Sequence, residues 1–581
     1  MEYNLISPII PGVSIIDQVF YNRNIPLGEA KHYLNTTDDD IVNARLLDNI
    51  EYGAKMLISH IQRNNKIFVQ IDEDCDGYTS GALLLNYLNS LFPHYTQNNI
   101  IYKTHSCKAH GIVLEDIPED IKLVIVPDAG SNEFEKHAVL KNKNIDILIL
   151  DHHNVEELPT EVCLINNQAC DYPNKTLSGV GVVYKFCSLI DSLLGINNAD
   201  NFLDLVAAGC VADMMPLNNF ETKHLIFKGL ENINNPFLKG MLIKNEFYLK
   251  GKLTPHGISF TIAPAVNAVT RVGTPEERQI LFESMLDYRA YDLVPSTKRG
   301  CKGQEETKVE QACRNCTNIR NRQNKERDAG LEKIDQIIKQ NDLLDNPILI
   351  VELCAAIAPN PNITGLIANQ VAAKYNRPTL ILLERFDENG VKFWSGSGRN
   401  IKGTNFDNLQ QFLLDSGLME LAQGHDNALG VSISDANLPQ LKEYCKNNLD
   451  ESQFNPVYNV DFIYEAQFIS GYDILSIGDL KDIWGQEMEE PKILVKNLNI
   501  NASNIEFLQK GPTIKITPTD REDGLSYVLF KTSEEIYNLL YTQFGLTTIN
   551  LVGTCARNDW SNTPQIIIED FEVVKKLDYY F

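Results

Sequence analysis

The sequence predicts an α/β protein: a parallel-sheet domain, a helical connector, a second α/β domain and a β-rich terminal module. Three observations carry that reading. Over the first 220 residues, short and nearly unbroken apolar runs alternate with helical patterns, as in a parallel sheet covered on both faces. A second alternation of this kind runs from Pro347 to Leu449. From about residue 453 onward the pattern switches to apolar–polar alternation, the period of a small β-barrel.

In chain order, the predicted strands of the first domain are KIFVQI (Lys66–Ile71), KLVIVP (Lys122–Pro127), DILIL (Asp146–Leu150) and VCLIN (Val162–Asn166). SGALLLNYLNSLF (Ser80–Phe92) reads as the first crossover helix. Residues 217–344 are mostly helical in pattern, and within them 298–327 hold nine Lys/Arg against four Glu. PILIVELCAA, PTLILLERF and the glycine-rich GSGRN make the second α/β domain, and KILVKNLNI, TIKITP, YVLFKT, INLVGT and QIIIEDFEV supply the terminal strands. The implied domains are 1–220, 221–345, 346–452 and 453–581.

Fifty-two Lys/Arg against 77 acids leave a net charge of −25, which argues against a polybasic chromatin or membrane-surface protein. The opening MEYNLISPIIPG lacks a basic stretch followed by an apolar one, and no run of about 18 apolar residues occurs, so neither a secretory leader nor a membrane span is expected. Cys163, Cys187, Cys210 and Cys354 sit in apolar runs, where reduced, buried thiols of a cytoplasmic protein are expected. Cys313 and Cys316 form one CxxC with Cys301 upstream and no second pair, so they read as two thiols on one helix rather than a zinc site.

The chemistry gathers where the apolar strands stop. Asp72-Glu73-Asp74-Cys75-Asp76-Gly77 follows the first strand, Asp128-Ala129-Gly130 the second and Asp151-His152-His153 the third. Ligands of doubly wound folds bind beyond that edge of the sheet. Asp213, after the apolar DLVAAGCVA, is placed to close the cluster. Carboxylates packed together raise one another's pKa unless cations neutralise them. Oxygen donors with one or two histidines suit Mn2+ or Mg2+, and a pair of such ions serves phosphoester hydrolysis. A lone DxDxDG also reads as a calcium loop, but here it follows a buried strand and lacks the glutamate spacing.

The ordered blocks QIDEDCDGYTSGALL, VIVPDAG, LDHH and AAGCVADMMPL resemble the DHH phosphoesterase superfamily, and within it the RecJ group of single-strand-specific 5′→3′ exonucleases. LSGVGVVYKF, TIAPAVNAVTR, NITGLIANQV, GSGRN and QGHDNALG extend the likeness in the expected order. The resemblance implies a DHH catalytic domain, a DHH-associated substrate-binding domain and a terminal OB-fold. It implies that Asp74 and Asp128 bind one metal, that Asp76, Asp128, His152 and Asp213 hold the other, and that His153 faces the scissile phosphate. Asp72 and Asp151 support the cluster. Where many relatives carry a histidine four residues before Asp74, this chain has Gln70, a poorer ligand, so the first metal is expected to bind weakly or only with substrate. The family's GGH block reads Gln423-Gly424-His425, and its usual preceding histidine is replaced near Asn360.

Substrate is expected at GSGRN, through the amides of Gly396 to Gly398, the Ser397 hydroxyl and the Arg399 fork, a good phosphate receptor. By resemblance this pocket, with Gly424 and His425, takes the terminal 5′ phosphate. GVGVV near Gly179 has Tyr184 at the third glycine position and reads as close helix packing, not a dinucleotide fingerprint. Asn267 and Arg271, four apart, share a helix face toward the phosphodiester. Arg314, Arg320, Arg322 and Lys325 either line a backbone channel or form a solvated face.

The leading reading is a metal-dependent exonuclease removing nucleotides from the 5′ end of single-stranded DNA, acting in repair or recombination, with a helicase or single-strand-binding protein as partner. It is expected as a cytoplasmic monomer with two Mn2+ or Mg2+ ions, and RNA stays open as a substrate. The alternatives are a phosphodiesterase of short oligonucleotides or cyclic dinucleotides, and a silent single-strand-binding scaffold. No GxxxxGK[ST] loop is present, which excludes the P-loop route to ATP. The departures from the family pattern and the acidity suit a mobile-element or viral copy.

Overall fold

The computed structural model describes residues 1–105 and 110–578. They form two compact units. One comprises Arg23–Asn321 with Asp482–Glu489; the other comprises Met1–Asn22, Arg322–Lys481 and the chain from Glu490 onward.

The first unit is built on a five-stranded, all-parallel sheet. Its order is Ile100–Thr104, Lys66–Ile71, Ile121–Pro127, Asp146–Asp151, Cys163–Asn166. Four of these strands coincide with the apolar runs, and their residues are buried almost throughout. The fifth, IIYKT, escapes the sequence reading because it is an edge strand with only its first residue fully buried, so it carries no continuous apolar run. Parallel pairing brings all five carboxyl ends to one edge. The register Gln70↔Lys103, Ile71↔Thr104 makes Asp72 and His105 leave the sheet side by side.

The first crossover helix runs Cys75–Leu91, five residues earlier than predicted. Asp74 is its N-cap, accepting from the Gly77 amide at 3.0 Å, so the acidic motif is itself the start of the helix. The GVGVV segment opens the helix Gly179–Leu194, and its glycines do serve close packing. The region after it is helical, apart from a hairpin of Leu293–Pro295 and Glu305–Thr307. Cys313 and Cys316 are buried free thiols on the 33-residue helix Lys308–Gln340, as the sequence suggests. Cys163, Cys187 and Cys210 are buried, but Cys354 is exposed, because its strand ends at Leu353.

In the second unit a five-stranded sheet has the order Leu421–His425, Ala428–Ser434, Lys392–Arg399, Thr379–Phe386, Leu349–Leu353. Ile350, Leu380, Leu382, Trp394 and Val431 anchor its core. The terminal strands make a mixed seven-stranded sheet of OB-like kind, ordered Phe462–Glu465, Lys492–Ile500, Leu546–Arg557, Pro564–Leu577, Ser526–Phe530, Thr513–Ile516, Ile505–Leu508. Register shifts interrupt its two longest strands. The amino-terminal strand Glu2–Leu5 pairs in parallel with Val457–Val460, which is why residues 1–22 belong to this unit. Among the described residues no helix is long and apolar enough to cross a membrane.

Candidate metal centre

Asp128 leaves its strand at φ 67°, a left-handed conformation costing a non-glycine residue about 1–2 kcal/mol. Its amide donates to Leu150 O at 2.8 Å. The residue is 2% exposed, and among the described residues Oδ1 has no hydrogen-bond partner. Room for it comes from Gly179, where a Cβ would lie 2.2 Å from Asp128 Oδ1. Burial, then the charges of Asp76, Asp74, Asp72 and Asp213, push its pKa well above the carboxylate range.

Asp76, in the first turn of its helix, is clamped by the start of another. Gly179 N donates to Oδ2 at 2.7 Å, and Ser178 Oγ and Val180 N reach Oδ1 at 3.0 and 3.3 Å. Gly209 clears the space, since its Cβ would stand 2.4 Å from Asp76 Oδ1. Asp213 ends the helix Leu203–Ala212. Burial and the charges of Asp76 and Asp74 raise it to about 8. Asp74 is raised to about 6 by burial and Asp76. His152 Nε2 lies 3.3 Å from Asp128 Oδ1 and 3.4 Å from Asp213 Oδ2, and burial lowers its pKa, keeping a neutral imidazole with a lone pair to give.

Asp76, His152 and Asp213 each offer a donor atom within 4.8 Å of the others, and Asp128, Asp151, His152 and His153 form a second such group. Asp151 is already saturated: Ser131 Oγ (2.6 Å) and N (3.2 Å), His152 N (2.7 Å), and His153 N (3.2 Å) and Nδ1 (2.7 Å) all converge on it. Those hydrogen bonds outweigh burial and hold Asp151 well below the usual range. In return the Asp151 contact raises His153 to about 9. Asp151 therefore supports, and His153 stands as an imidazolium with 59% of its side chain exposed.

The donor set fits a divalent cation. Asp74, Asp128 and Asp213 are carboxylates whose charge the protein disfavours, and among the described residues the buried Asp128 Oδ1 accepts no hydrogen bond. A cation removes both penalties.

The structure adds His105 and His110, which sequence reasoning missed. His110 bridges two acids, with Nδ1 3.0 Å from Asp72 Oδ2 and Nε2 3.2 Å from Glu73 Oε1. His105 Nε2 lies 3.4 Å from Asp72 Oδ1, and Gly111 N donates to that oxygen at 3.2 Å. Burial would raise Asp72, but the two imidazoles hold it at about 2, while the bond to Asp72 lifts His110 to about 9. Glu73 is raised to about 7 by burial, with Asp72 and Asp74 adding to it. The Asp72–His110 pair thus repeats the Asp151–His153 pair, a buried acid beneath an exposed imidazolium. Only the pairing of two parallel strands reveals it. Gln70 donates from Nε2 to Lys103 O at 3.0 Å, and its buried Oε1 has no partner among the described residues.

Asn267 and Arg271 share the helix Ala263–Val272. Asn267 does not reach outward: its Oδ1 accepts from Cys75 N at 3.1 Å, capping the motif helix beside Asp74. The charge of Arg271 acts on Glu73. Of the basic stretch, Arg314 is bound to Glu306, and Arg320 donates to the carbonyls of Phe260 and Thr261, so these two brace the fold instead of lining a channel.

In the second unit Gly396 to Arg399 of GSGRN lie within the strand Lys392–Arg399, paired on both edges, so the amides of Gly396 to Gly398 are committed to the sheet and cannot form the expected receptor. Gly396 is required because a Cβ there would lie 1.9 Å from Ile381 O. What remains for a ligand is side chains. Ser397 Oγ lies 2.9 Å from Thr364 Oγ1, and Arg399 Nη1 donates to Gly398 O at 2.7 Å. Arg399 and His425 both register with Ala428, and Gly398 and Gly424 both register with Leu429. The sheet thereby places Arg399 and His425 two strands apart, about 10 Å.

The DHH family, N-terminal domain, matches residues 66–210. Over 99% of both chains the sequence is 36% identical to YorK from the SPbeta prophage of Bacillus subtilis (strain 168), which is named as a single-strand DNA-specific exonuclease. It is 27% identical to the single-stranded-DNA-specific exonuclease RecJ of that organism, over 94% of this chain and 66% of RecJ. Among solved structures, RecJ of Thermus thermophilus in complex with Mn2+ aligns with a TM-score of 0.68 at 16% identity, covering 97% of this chain and 78% of that one.

Proposed function

The chain belongs to the DHH family, in the RecJ group, and from that premise we propose that it hydrolyses single-stranded DNA from the 5′ end to mononucleotides, in DNA repair or recombination. One observation carries the proposal: Asp76, His152 and Asp213 bring donor atoms within 4.8 Å of one another beyond the carboxyl edge of the sheet, and His152 Nε2 also lies 3.3 Å from Asp128 Oδ1.

Asp76, Asp128, His152 and Asp213 would hold one Mn2+ or Mg2+, and Asp74 with Asp128 a second. Bound there, such ions lower the pKa of a water and neutralise phosphoryl charge. The protein's own groups do the rest. Gly179 and Ser178 fix Asp76, so its carboxylate needs no reorganisation. His153, kept protonated by Asp151, donates to a non-bridging phosphoryl oxygen, and Arg271 offsets charge on the same phosphate. Water attacks phosphorus, the bond to the 3′-oxygen breaks, and a 5′-mononucleotide departs. Arg399, Ser397 and His425 favour a 5′-phosphorylated end as the group held in the second unit.

The test is digestion of end-labelled strands with Mn2+. A 5′ label should leave at once as mononucleotide, and a 3′ label only when the strand is consumed. The reverse order overturns the polarity. RNA strands in parallel decide the sugar preference, and faster cleavage of two- to five-mers than of thirty-mers would favour a short-oligonucleotide phosphodiesterase. Asp128→Ala should cut turnover by at least ~10³-fold, since it removes a donor common to both ions, while strand affinity measured in EDTA stays near wild type.

A further inference from the structure

The hairpin of Leu293–Pro295 and Glu305–Thr307 has no part in the chemistry above. Its turn, residues 296–304, reads STKRGCKGQ: three cations and no acid, in a chain of net charge −25. Lys298, Arg299 and Lys302 are exposed, and among the described residues none of the three pairs with a carboxylate. Several other cations of this unit are neutralised, Lys66 by Asp120, Lys228 by Asp38 and Asp200, and Arg289 by Asp292. Gly300 and Gly303, at φ 84° and 85°, let the turn fold tightly and crowd like charges that would otherwise spread apart.

The base of the turn is braced. The Glu306 carboxylate accepts from both Arg314 Nη atoms, from Gln311 Nε2 at 2.8 Å and from Thr297 N at 3.1 Å. The Arg314 contact, outweighing burial, holds that carboxyl at about 2. Arg314 also donates to Thr297 Oγ1 at 2.9 Å, and Gln311 to Pro295 O at 3.0 Å. At the root, Lys308 pairs with Glu283 (2.6 Å) and Asp292 (2.8 Å), and Glu283 accepts from Tyr102 (2.9 Å) of the strand that ends beside His105. Tyr291, at the foot, is 62% exposed. Clustered, unneutralised cations on a braced hairpin, beside an open aromatic ring, suit a sugar-phosphate backbone with unstacked bases. The turn has no large apolar side chain to enter a bilayer.

We propose that this hairpin is a binding site for the phosphodiester backbone of the substrate strand, its three cations contacting phosphates beyond the nucleotide being cleaved. This rests on single-stranded DNA being the substrate.

The test uses the full chain with Lys298, Arg299 and Lys302 all changed to Gln, and a second variant carrying K298R and K302R. Anisotropy with a labelled thirty-mer in EDTA, from 50 to 200 mM salt, gives affinity and salt slope. Each phosphate contact on a single strand contributes ~0.7 to that slope, so the triple variant should lose about 2 units of slope and bind about ten-fold more weakly at low salt. The ratio of kcat/KM for a thirty-mer over a four-mer, with Mn2+, should fall similarly, and the arginine variant should keep wild-type values. Unchanged slope and affinity in the triple variant, or an equal loss in the arginine variant, overturns the proposal alone. A wild-type protein that binds no single strand overturns the substrate reading, and the proposal with it.

Discussion

Asp128 concentrates the physics of this protein in one residue: a strained backbone, a buried carboxylate and an oxygen without a partner. Its surroundings support two predictions. Gly179→Ala would improve helix propensity by about 1 kcal/mol, but its Cβ would press on Asp128 Oδ1 and Cβ at 2.2 and 2.5 Å, inside a packed site. The steric term wins, so Mn2+-dependent turnover should fall at least ~10²-fold and calorimetry should show weakened Mn2+ binding. Retained Mn2+ affinity would remove Gly179 from the site. The second prediction concerns pH. Asp74 and Asp213, raised to about 6 and about 8, bind protons in the folded chain that an unfolded Asp, at ~3.9, has already lost. Stability of the metal-free protein therefore falls as pH climbs from about 4 to 8. His153 and His110, raised to about 9, stabilise fully below ~6.5 and lose that contribution toward pH 9, the same sign. Asp72, held at about 2, loses its contribution only as pH falls toward 2, outside this window. In EDTA the Tm should drop between pH 5 and 9, and saturating Mn2+ should flatten or invert the trend; parallel curves would remove the metal from the cluster. Asp74, Asp76, Asp128, Asp151, His152, His153 and Asp213 were legible in the sequence because each lies within a few residues of the end of an apolar run. His105 and His110 were not, because their contact with Asp72 depends on strands paired across 33 positions.

The elements show how far local pattern carries. The buried strands were legible because both faces must be apolar, and the amphipathic edge strand Ile100–Thr104 was not. The motif helix was placed too late because Asp74-Cys75-Asp76 reads as a loop until Asp74 is recognised as its cap. GSGRN misled for the opposite reason. Its glycines suggested amides free to take a phosphate, yet here they let the central strand sit flush against Ile381 and Leu380. If this sheet recognises phosphate, as proposed, it does so through a guanidinium and hydroxyls, not amides. Arg399→Gln should cost the preference for 5′-phosphoryl over 5′-hydroxyl strands about ten-fold or more in kcat/KM, since a charge-assisted hydrogen bond is worth about 1.5–3 kcal/mol. Arg399→Lys should recover part of it, keeping the charge without the fork. If both variants discriminate as well as wild type, the terminal phosphate is held elsewhere.

For the molecule as a whole, the −25 charge first argues against a nucleic-acid partner, and position resolves that objection. Many acids are consumed internally: Glu221 by Lys185, Glu283 by Lys308, Glu306 by Arg314, and the strand-end carboxylates by their own cluster. The remaining acidic surface repels phosphate, so attraction is confined to a few places. If Arg271, Arg399 and the three hairpin cations carry the contacts, about five phosphates are engaged, giving a salt slope near −3.5 and an affinity loss of ~10²-fold between 50 and 200 mM salt. A further consequence separates this arrangement from a uniformly basic nuclease. Beyond the last cation each added nucleotide meets a repelling field, so affinity should rise with strand length and then level off. The plateau should come by about thirty nucleotides, the scale of one or two single-strand site sizes. Anisotropy titrations over oligonucleotides of ten to sixty residues, in EDTA, test this directly. Affinity still growing in proportion to length at sixty would mean that a continuous attractive surface exists despite the net charge, and would overturn the confined track.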